Sequence, residues 1–354
     1  MSPDKSSQDA LHDAVQMPAV SIVIPAYNEE SVIRQCLIAA VYQSVPAHEI
    51  IVVDNMSKDR TADIVRQMQL EYPESPIILL SQDLDQGLIP TRNFGLNHAT
   101  GDILGRIDAD SVLEPDWVEQ VQKAFRDKSV HAATGPVVYY DMPMRRFGLK
   151  ADDKMRQLML RLAKHQYHFL FGSNMALRRS AWEIIRTEAC RDEKDEMHED
   201  IDLSLHLAEN ELRIQYWPQM VSGMSARRLE DSPRDYRYYV TRFDRTYKAH
   251  NVKKMALKAP MVVFFSVYFP AKLLRAIHTV NTAQPARRGG AAVSQSPAPP
   301  AGAHRAVRSV NHAVPRRRRR APPGSSPAPR TSRPAVSRTG TQQRAERHRE
   351  SPAG

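Results

Sequence analysis

Cysteine is scarce: Cys36 and Cys190 are the only two in 354 residues, with no CxxC pair and no metal-ligand spacing. That usage suits a reducing compartment, with a single disulfide left open as the alternative. Residues 1–18 lack both a basic start and an apolar stretch, so neither a secretory leader nor export is expected. From Asn281 to Gly354 lysine, aspartate and aromatic residues are all missing. That stretch sets 15 arginines against 2 glutamates, a net +13, which leaves the first 280 residues at −3 within the chain's +10. The basicity belongs to the tail, and a slightly acidic core gives no support to nucleic-acid binding. Rich in Pro, Ala, Ser and Arg, with a run at Arg316–Arg320, the tail buries too little apolar surface to offset its ordering entropy and is expected to be disordered. An electrostatic tether to anionic lipid or nucleic acid is its functional alternative.

Four short apolar runs stand out before the tail, at 19–27, 49–55, 76–82 and 102–108. Most are continuous rather than alternating, as in strands buried on both faces of a parallel sheet. Helical patterns lie between and after them, at Glu29–Gln43, Asp59–Leu70, Pro90–Ala99 and Pro115–Phe125. Four strand–helix alternations predict an α/β domain with a parallel sheet. A fifth strand is expected at His131–Tyr140, and helices at Asp152–His165, from Ser180, and at Ile201–Asn210.

Just ahead of the tail, Ala259–Ala271 is uncharged and flanked by Lys258 and Lys272. As a helix this run spans ~20 Å, short of a hydrocarbon core of ~30 Å, and Pro270 weakens a spanning reading further. Two readings stay open: an interfacial or re-entrant segment with snorkelling lysines, or a buried C-terminal helix or strand of the domain.

Ligands of open α/β sheets bind beyond the carboxyl ends of the strands. Those ends read Tyr27-Asn28-Glu29, Asp54-Asn55, Asp83 and Asp108-Ala109-Asp110. Carboxylates gathered this way repel one another unless a cation or ligand compensates. On an extended chain Asp108 and Asp110 point to the same side, and such oxygen ligands suit Mg²⁺ or Mn²⁺ bridging a diphosphate. A lone DxD is weak; its place at the end of the fourth strand strengthens it.

The succession IPAYNE (24–29), VVDN (52–55) with Ser57 and DRT (59–61), TRNFGL (91–96), HATGD (98–102) and DAD (108–110) resembles family 2 glycosyltransferases of the GT-A fold. GSNMALRRSAW (172–182) and HEDIDLSLHL (198–207) extend the resemblance across residues 19–220. It implies a Rossmann-like, mostly parallel sheet flanked by helices over residues 19–258. An apolar segment at 259–280 would follow, with a flexible N-terminus at 1–18 and the disordered tail at 281–354. Pro25, Tyr27 and Glu29 would line the nucleotide site, Asp54 would bond the base, and Arg92 would lie near the donor. Asp108 would approach ribose and sugar, Asp110 would ligate the metal, and Gly172 and Asn174, with Ser173, would shape the sugar and acceptor pocket. Asp200 matches the general base. Asn55 stands where a second acidic residue is frequent and Met56 where Gly is frequent, which puts base recognition in doubt. No QxxRW follows Trp217, so a single transfer rather than processive synthesis is expected.

Plainer roles compete for several residues. Acidic groups at the start of a helix often only complement its dipole, and the resemblance alone lifts Asp200 above that. His198 stands between a metal or phosphate contact and a solvated residue, the latter favoured. Ser57, Asp59 and Thr61 read as caps of the second helix, and Arg178-Arg179 and Arg227-Arg228 as solvated pairs, with pyrophosphate binding as their alternative. Tyr236, Tyr238, Tyr239, Phe243 and Tyr247 have helical spacing and read as packing. The expectation is an inverting, metal-assisted transfer of one sugar from a nucleotide-sugar donor to a glycan or lipid-linked hydroxyl acceptor, in the cytoplasm or peripheral on the inner membrane face. A polyprenyl-phosphate sugar synthase falls within it. Against it stand a non-catalytic nucleotide-sugar-binding scaffold and a membrane tether acting through the tail.

Overall fold

The structure, a computed structural model, describes residues 17–162, 169–189, 192, 196–252 and 259–283. Cys190, Lys258 and the tail from 284 lie outside them, and with the tail its expected disorder. The described residues fall in one unit of the chain, residues 1–292.

The four expected strands form as β1 (Val20–Ala26), β2 (Glu49–Asp54), β3 (Ile77–Ser81) and β4 (Ile103–Arg106), parallel to one another. β1 and β2 are buried along their whole length, as continuous apolar runs require. Alternate side chains feed two layers: Ile22, Ile24 and Val52 join one core cluster, Val23, Ile51 and Val53 the other. α1 (Ile33–Val41), α2 (Thr61–Glu71) and α4 (Trp117–Ala124) cover the first face. α3 (Leu88–His98) and α6 (Arg179–Ile185) lie on the second with α7 (Glu199–Glu209), which begins two residues earlier than expected. Pro25 is tolerated inside a central strand because pairing with β4 ends at Val23.

The expected fifth strand is two strands in two sheets. β6 (Ala132–Thr134) joins the main sheet, and β7 (Val137–Tyr139) pairs with β10 (Ser222–Met224), which also pairs with the short β5 (Val112–Leu113). Gly135-Pro136 makes the break, since Pro136 cannot donate to a ladder and a Cβ on Gly135 would collide with the Met220 carbonyl. With β8 (Met175–Arg178) and β9 (Ile214–Tyr216) the main sheet runs β3-β2-β1-β4-β8-β6-β9. β8 lies antiparallel to both β4 and β6, so the sheet is mostly parallel rather than wholly so. The helix expected from Asp152 begins earlier, as α5 (Arg145–Leu162).

α8 (Pro233–Ala249) starts at a Ser232 cap whose hydroxyl accepts from the Asp235 N–H. α9 (Ala259–Ala283) continues through Pro270, so the apolar segment is one 25-residue helix. By length and composition Met261–His278 could cross a membrane. One side of it is docked nonetheless: Tyr268 stacks on Tyr236 at 4.1 Å, and Arg275 pairs with Asp141 and Glu230 at 2.8 Å each. Lys272 does not snorkel; its Nζ donates to the Asp231 carbonyl at 2.6 Å.

Gly105 serves the site directly, because it lets Trp117 lie against β4 one residue before Arg106. A Cβ there would come within 2.5 Å of Trp117 Cη2, in a fully buried ring that is bonded through Nε1 to Asn174. Gly105→Ala is expected to cost about 1–3 kcal/mol by overpacking. Urea unfolding checks it, and an unchanged midpoint would show that Trp117 repacks freely.

Candidate active site

The carboxyl ends of β1, β2 and β4 and the start of α7 supply the polar groups. After β1 the chain turns sharply, with Asn28 at φ 54°. Backbone N–H groups of Asn28, Glu29 and Glu30 donate to Ser57 Oγ, Thr61 Oγ1 and Asp59 Oδ2. Ser57, Asp59 and Thr61 therefore clamp the Tyr27–Glu30 loop, a larger role than capping the second helix. Met56 has φ 60°, a left-handed conformation that accounts for Gly being frequent there. Tyr27 is exposed and Pro25 buried.

Asp54 ends β2 with its Oδ1 buried and without a hydrogen-bond partner. It also borders a hollow of about 410 Å³ with Arg66, Gln69 and Ser81, which none of Asp108, Asp110 and Asp200 lines. The neighbouring Asn55 is committed elsewhere. Its Nδ2 donates to the carbonyls of Gln82 and Asp85, and its Oδ1 accepts from the Gly87 N–H. Only an amide can do both, which explains why an acidic residue is absent here.

Asp108-Ala109-Asp110 is a turn, not an extended segment: the Ser111 N–H donates to the Asp108 carbonyl at 3.0 Å. Strand alternation, expected to set both carboxylates on one side, does not apply in a turn, and each carboxylate takes its own cation. Asp108 pairs with Arg106 at 2.8 Å. Asp110 pairs with Arg227 at 3.0 Å, and Arg227 also forms a two-pronged pair with Glu29 at 2.7 and 2.9 Å. Arg227 was expected on a solvated face; it bridges two carboxylates because the Ser225–Glu230 stretch folds over the sheet edge. Arg178, expected likewise, donates instead to the carbonyls of Val130 and Phe125. Burial, followed by the nearby Asp108, pushes the Asp110 carboxyl up to about 6 despite Arg227.

From Asp108 a chain of charges leads inward. Arg106, buried, reaches Glu199 at 3.1 Å, and fully buried Arg92 meets the same carboxylate at 2.5 Å. Burial alone would raise the Glu199 carboxyl, but Arg106 and Arg92 outweigh it and hold it below the usual range. Arg92, expected near the donor, thus spends its guanidinium on Glu199 and on Asn93. Asp200 accepts from the Gly172 N–H at 2.9 Å and is pushed up to about 6, first by burial and then by Glu199. Gly172 must be glycine, because a Cβ would collide with the Arg106 guanidinium and approach Glu199 Oε1 to 2.9 Å. Asn174, fully buried, joins Trp117 to the carbonyls of Pro136 and Met220. His198 is not solvated: its ring lies between Tyr239 and Phe243, and burial lowers its pKa to about 3.

Arg106 gathers the arrangement. The carboxylates of Asp108, Glu199, Asp200 and Asp110 all act on its charge and together outweigh the effect of burial. Two family models match the chain, glycosyl transferase family 2 over residues 21–185 and glycosyl transferase family group 2 over residues 106–282, half its length. The chain belongs to glycosyltransferase family 2. Glycosyltransferase AglE of Haloferax volcanii is 34% identical over 125 residues, 35% of this chain and 40% of that protein. Chondroitin synthase of Pasteurella multocida is 32% identical over 116 residues, 32% of this chain and 12% of that one. The chain therefore spans two fifths or less of the length of these relatives. Among solved structures, a mannosyltransferase of Pyrobaculum calidifontis in complex with GDP-Man and Mn²⁺ shares the fold. Its TM-score is 0.53 at 22% identity, with 78% of each chain covered.

Asn55, where this chain departs from the family, has its own measurable contribution. Asn55→Asp removes two donated bonds and faces a carboxylate toward two carbonyls, so it is expected to cost about 1–3 kcal/mol. Urea denaturation measures this; an unchanged midpoint would mean that the 82–87 loop does not depend on the amide.

Proposed function

We propose that this family 2 transferase moves one sugar from a nucleoside-diphosphate sugar to a hydroxyl of a glycan or lipid-linked acceptor, with inversion at the anomeric carbon. The observation that carries this reading is the charge chain at the carboxyl edge of the sheet: Asp110 pairs with Arg227, Asp108 pairs with buried Arg106, and Arg106 reaches Glu199, the neighbour of Asp200. Pro25, Tyr27, Glu29 and Asp54 border the same edge on the nucleotide side and Gly172 the acceptor side, where buried Asn174 acts by holding Trp117 and the carbonyls of Pro136 and Met220. Arg92 acts through Glu199.

The residues fit a divalent cation of the Mg²⁺ or Mn²⁺ kind. Asp110 and Glu29 are hard oxygen donors that already share one positive group, the Arg227 guanidinium. Asp110 would hold the ion, which when bound neutralises the charge of the leaving nucleoside diphosphate. Arg227 would have to give up its place on Asp110 as the donor enters, and its own charge then faces the diphosphate. Asp200, on the rigid first turn of α7 and fixed by the Gly172 N–H, takes the acceptor's proton as the hydroxyl oxygen attacks. Its raised pKa makes it a better base than an ordinary carboxylate.

Asp200→Asn is expected to cut transfer by about 10²–10⁴-fold and to leave nucleoside-diphosphate binding within a few fold. Asp110→Ala is expected to abolish the metal dependence of that binding. Single-turnover assays and calorimetry read the two effects separately. Full turnover in Asp200→Asn would remove the base assignment, and metal-dependent binding with no transfer in the wild type would favour the scaffold reading. Retained configuration in the product, read by NMR, would overturn inversion.

The outer side of α9 exposes Val262, Phe265, Phe269 and Leu273 while its inner side is tied to the domain. An apolar side carried on a docked helix supports peripheral attachment to a bilayer surface, where a lipid-linked acceptor would be met. Phe265→Ser with Phe269→Ser is expected to lower co-sedimentation with lipid vesicles several-fold. Equal sedimentation of variant and wild type would remove this part of the proposal.

A further inference from the structure

On the side of α7 away from Gly172, two histidines and two carboxylates form a cluster that sugar transfer does not use. Asp202 and His206 lie one helical turn apart on α7, and His250 caps the C-terminal end of α8. Their side chains are largely buried, Asp202 at 2% exposure, His250 at 9% and His206 at 13%. Asp202 Oδ1 is 2.9 Å from His250 Nε2 and 3.6 Å from His206 Nε2, and the three candidate ligand atoms lie within 4.8 Å of one another.

The opposite edges of both rings meet a second carboxylate. Glu209 Oε1 is 3.2 Å from His250 Nδ1, and Glu209 Oε2 is 3.2 Å from His206 Nδ1. A neutral imidazole has one N–H, so a ring held between two carboxylates sets one nitrogen lone pair against an oxygen. A second proton on the ring removes that conflict, and so does a cation at the Nε2 edge. Each Nε2 and Asp202 Oδ1 then ligate it, while each Nδ1–H donates to Glu209, the arrangement that fixes tautomer and ring orientation in histidine metal sites. Zinc bonds of 2.0–2.1 Å in a tetrahedron place ligand atoms about 3.3 Å apart. The separations of 2.9 and 3.6 Å bracket that value.

We propose that Asp202, His206 and His250 bind a divalent transition-metal ion of the zinc type, with water completing the shell and Glu209 positioning both rings. Two imidazoles and one carboxylate suit such an ion and are a poor set for Mg²⁺. The ion would staple α7 to the end of α8. One turn back along both helices the pair is already joined, because the His198 N–H donates to Thr246 Oγ1 at 2.9 Å. The site stands apart from Asp110 and does not depend on the transfer reaction.

The test uses the full chain, stripped of metal, titrated with Zn²⁺ by calorimetry and with Co²⁺ by visible absorption. Wild type and Asp110→Ala are expected to bind one equivalent each, with the d–d bands of low-coordinate Co²⁺. His206→Ala and His250→Ala are expected to bind at least 100-fold more weakly, and Glu209→Gln about 10–100-fold more weakly. Circular dichroism establishes that the variants fold; if either alanine variant does not, His250→Gln, which keeps the volume, replaces it. Failure of the wild type to bind one equivalent would overturn the proposal and leave two doubly protonated rings. Equal affinity in the histidine variants, or loss only in Asp110→Ala, would overturn it as well.

Discussion

The Glu199 carboxylate, held between the buried guanidinium groups of Arg92 and Arg106, is the contact on which the site is built. Removing either partner would leave a charge stranded in the interior, an arrangement that costs several kcal/mol. The contact also draws together three elements far apart in sequence: α3, β4 and α7. Gly172 is there because the cluster leaves no room for a side chain. Asp200 keeps its position because the next residue toward the N-terminus is locked, and because the Gly172 N–H reaches it.

The second charge group, Glu29 with Arg227 and Asp110, works on a different principle. Arg227 is half exposed, so this pair lies where solvent can compete for it. One group is structural and dry, the other exchangeable and wet. Asp108 connects them, bonded to Arg106 and acting through space on Asp110.

Much of the parallel half of the fold was legible in the sequence, because buried parallel strands write themselves as uninterrupted apolar runs. β8 was not, since MALR is too short and too mixed to separate from the loop before it, and its antiparallel course follows from a long excursion. The break in the fifth strand was written plainly in Gly135-Pro136. In the site, the acidic positions could be read from strand ends, but which cation each one takes could not. Arg92, Arg106 and Arg227 look alike in sequence, and only packing makes two of them interior. The Asp202–His206 pair carried a readable signal, one-turn spacing on a helix, whereas His250 comes from another element that no local pattern connects.

Asn55 shows how such packing limits what the chain can become. Its amide is engaged at both ends by the 82–87 loop, with Nδ2 on two carbonyls and Oδ1 on the Gly87 N–H. An acidic residue at this position would therefore need new partners for the loop as well as a new side chain. Position 55 and the segment from Gln82 to Gly87 thus form one chemical unit, in which a change at either end alters what the other can hold.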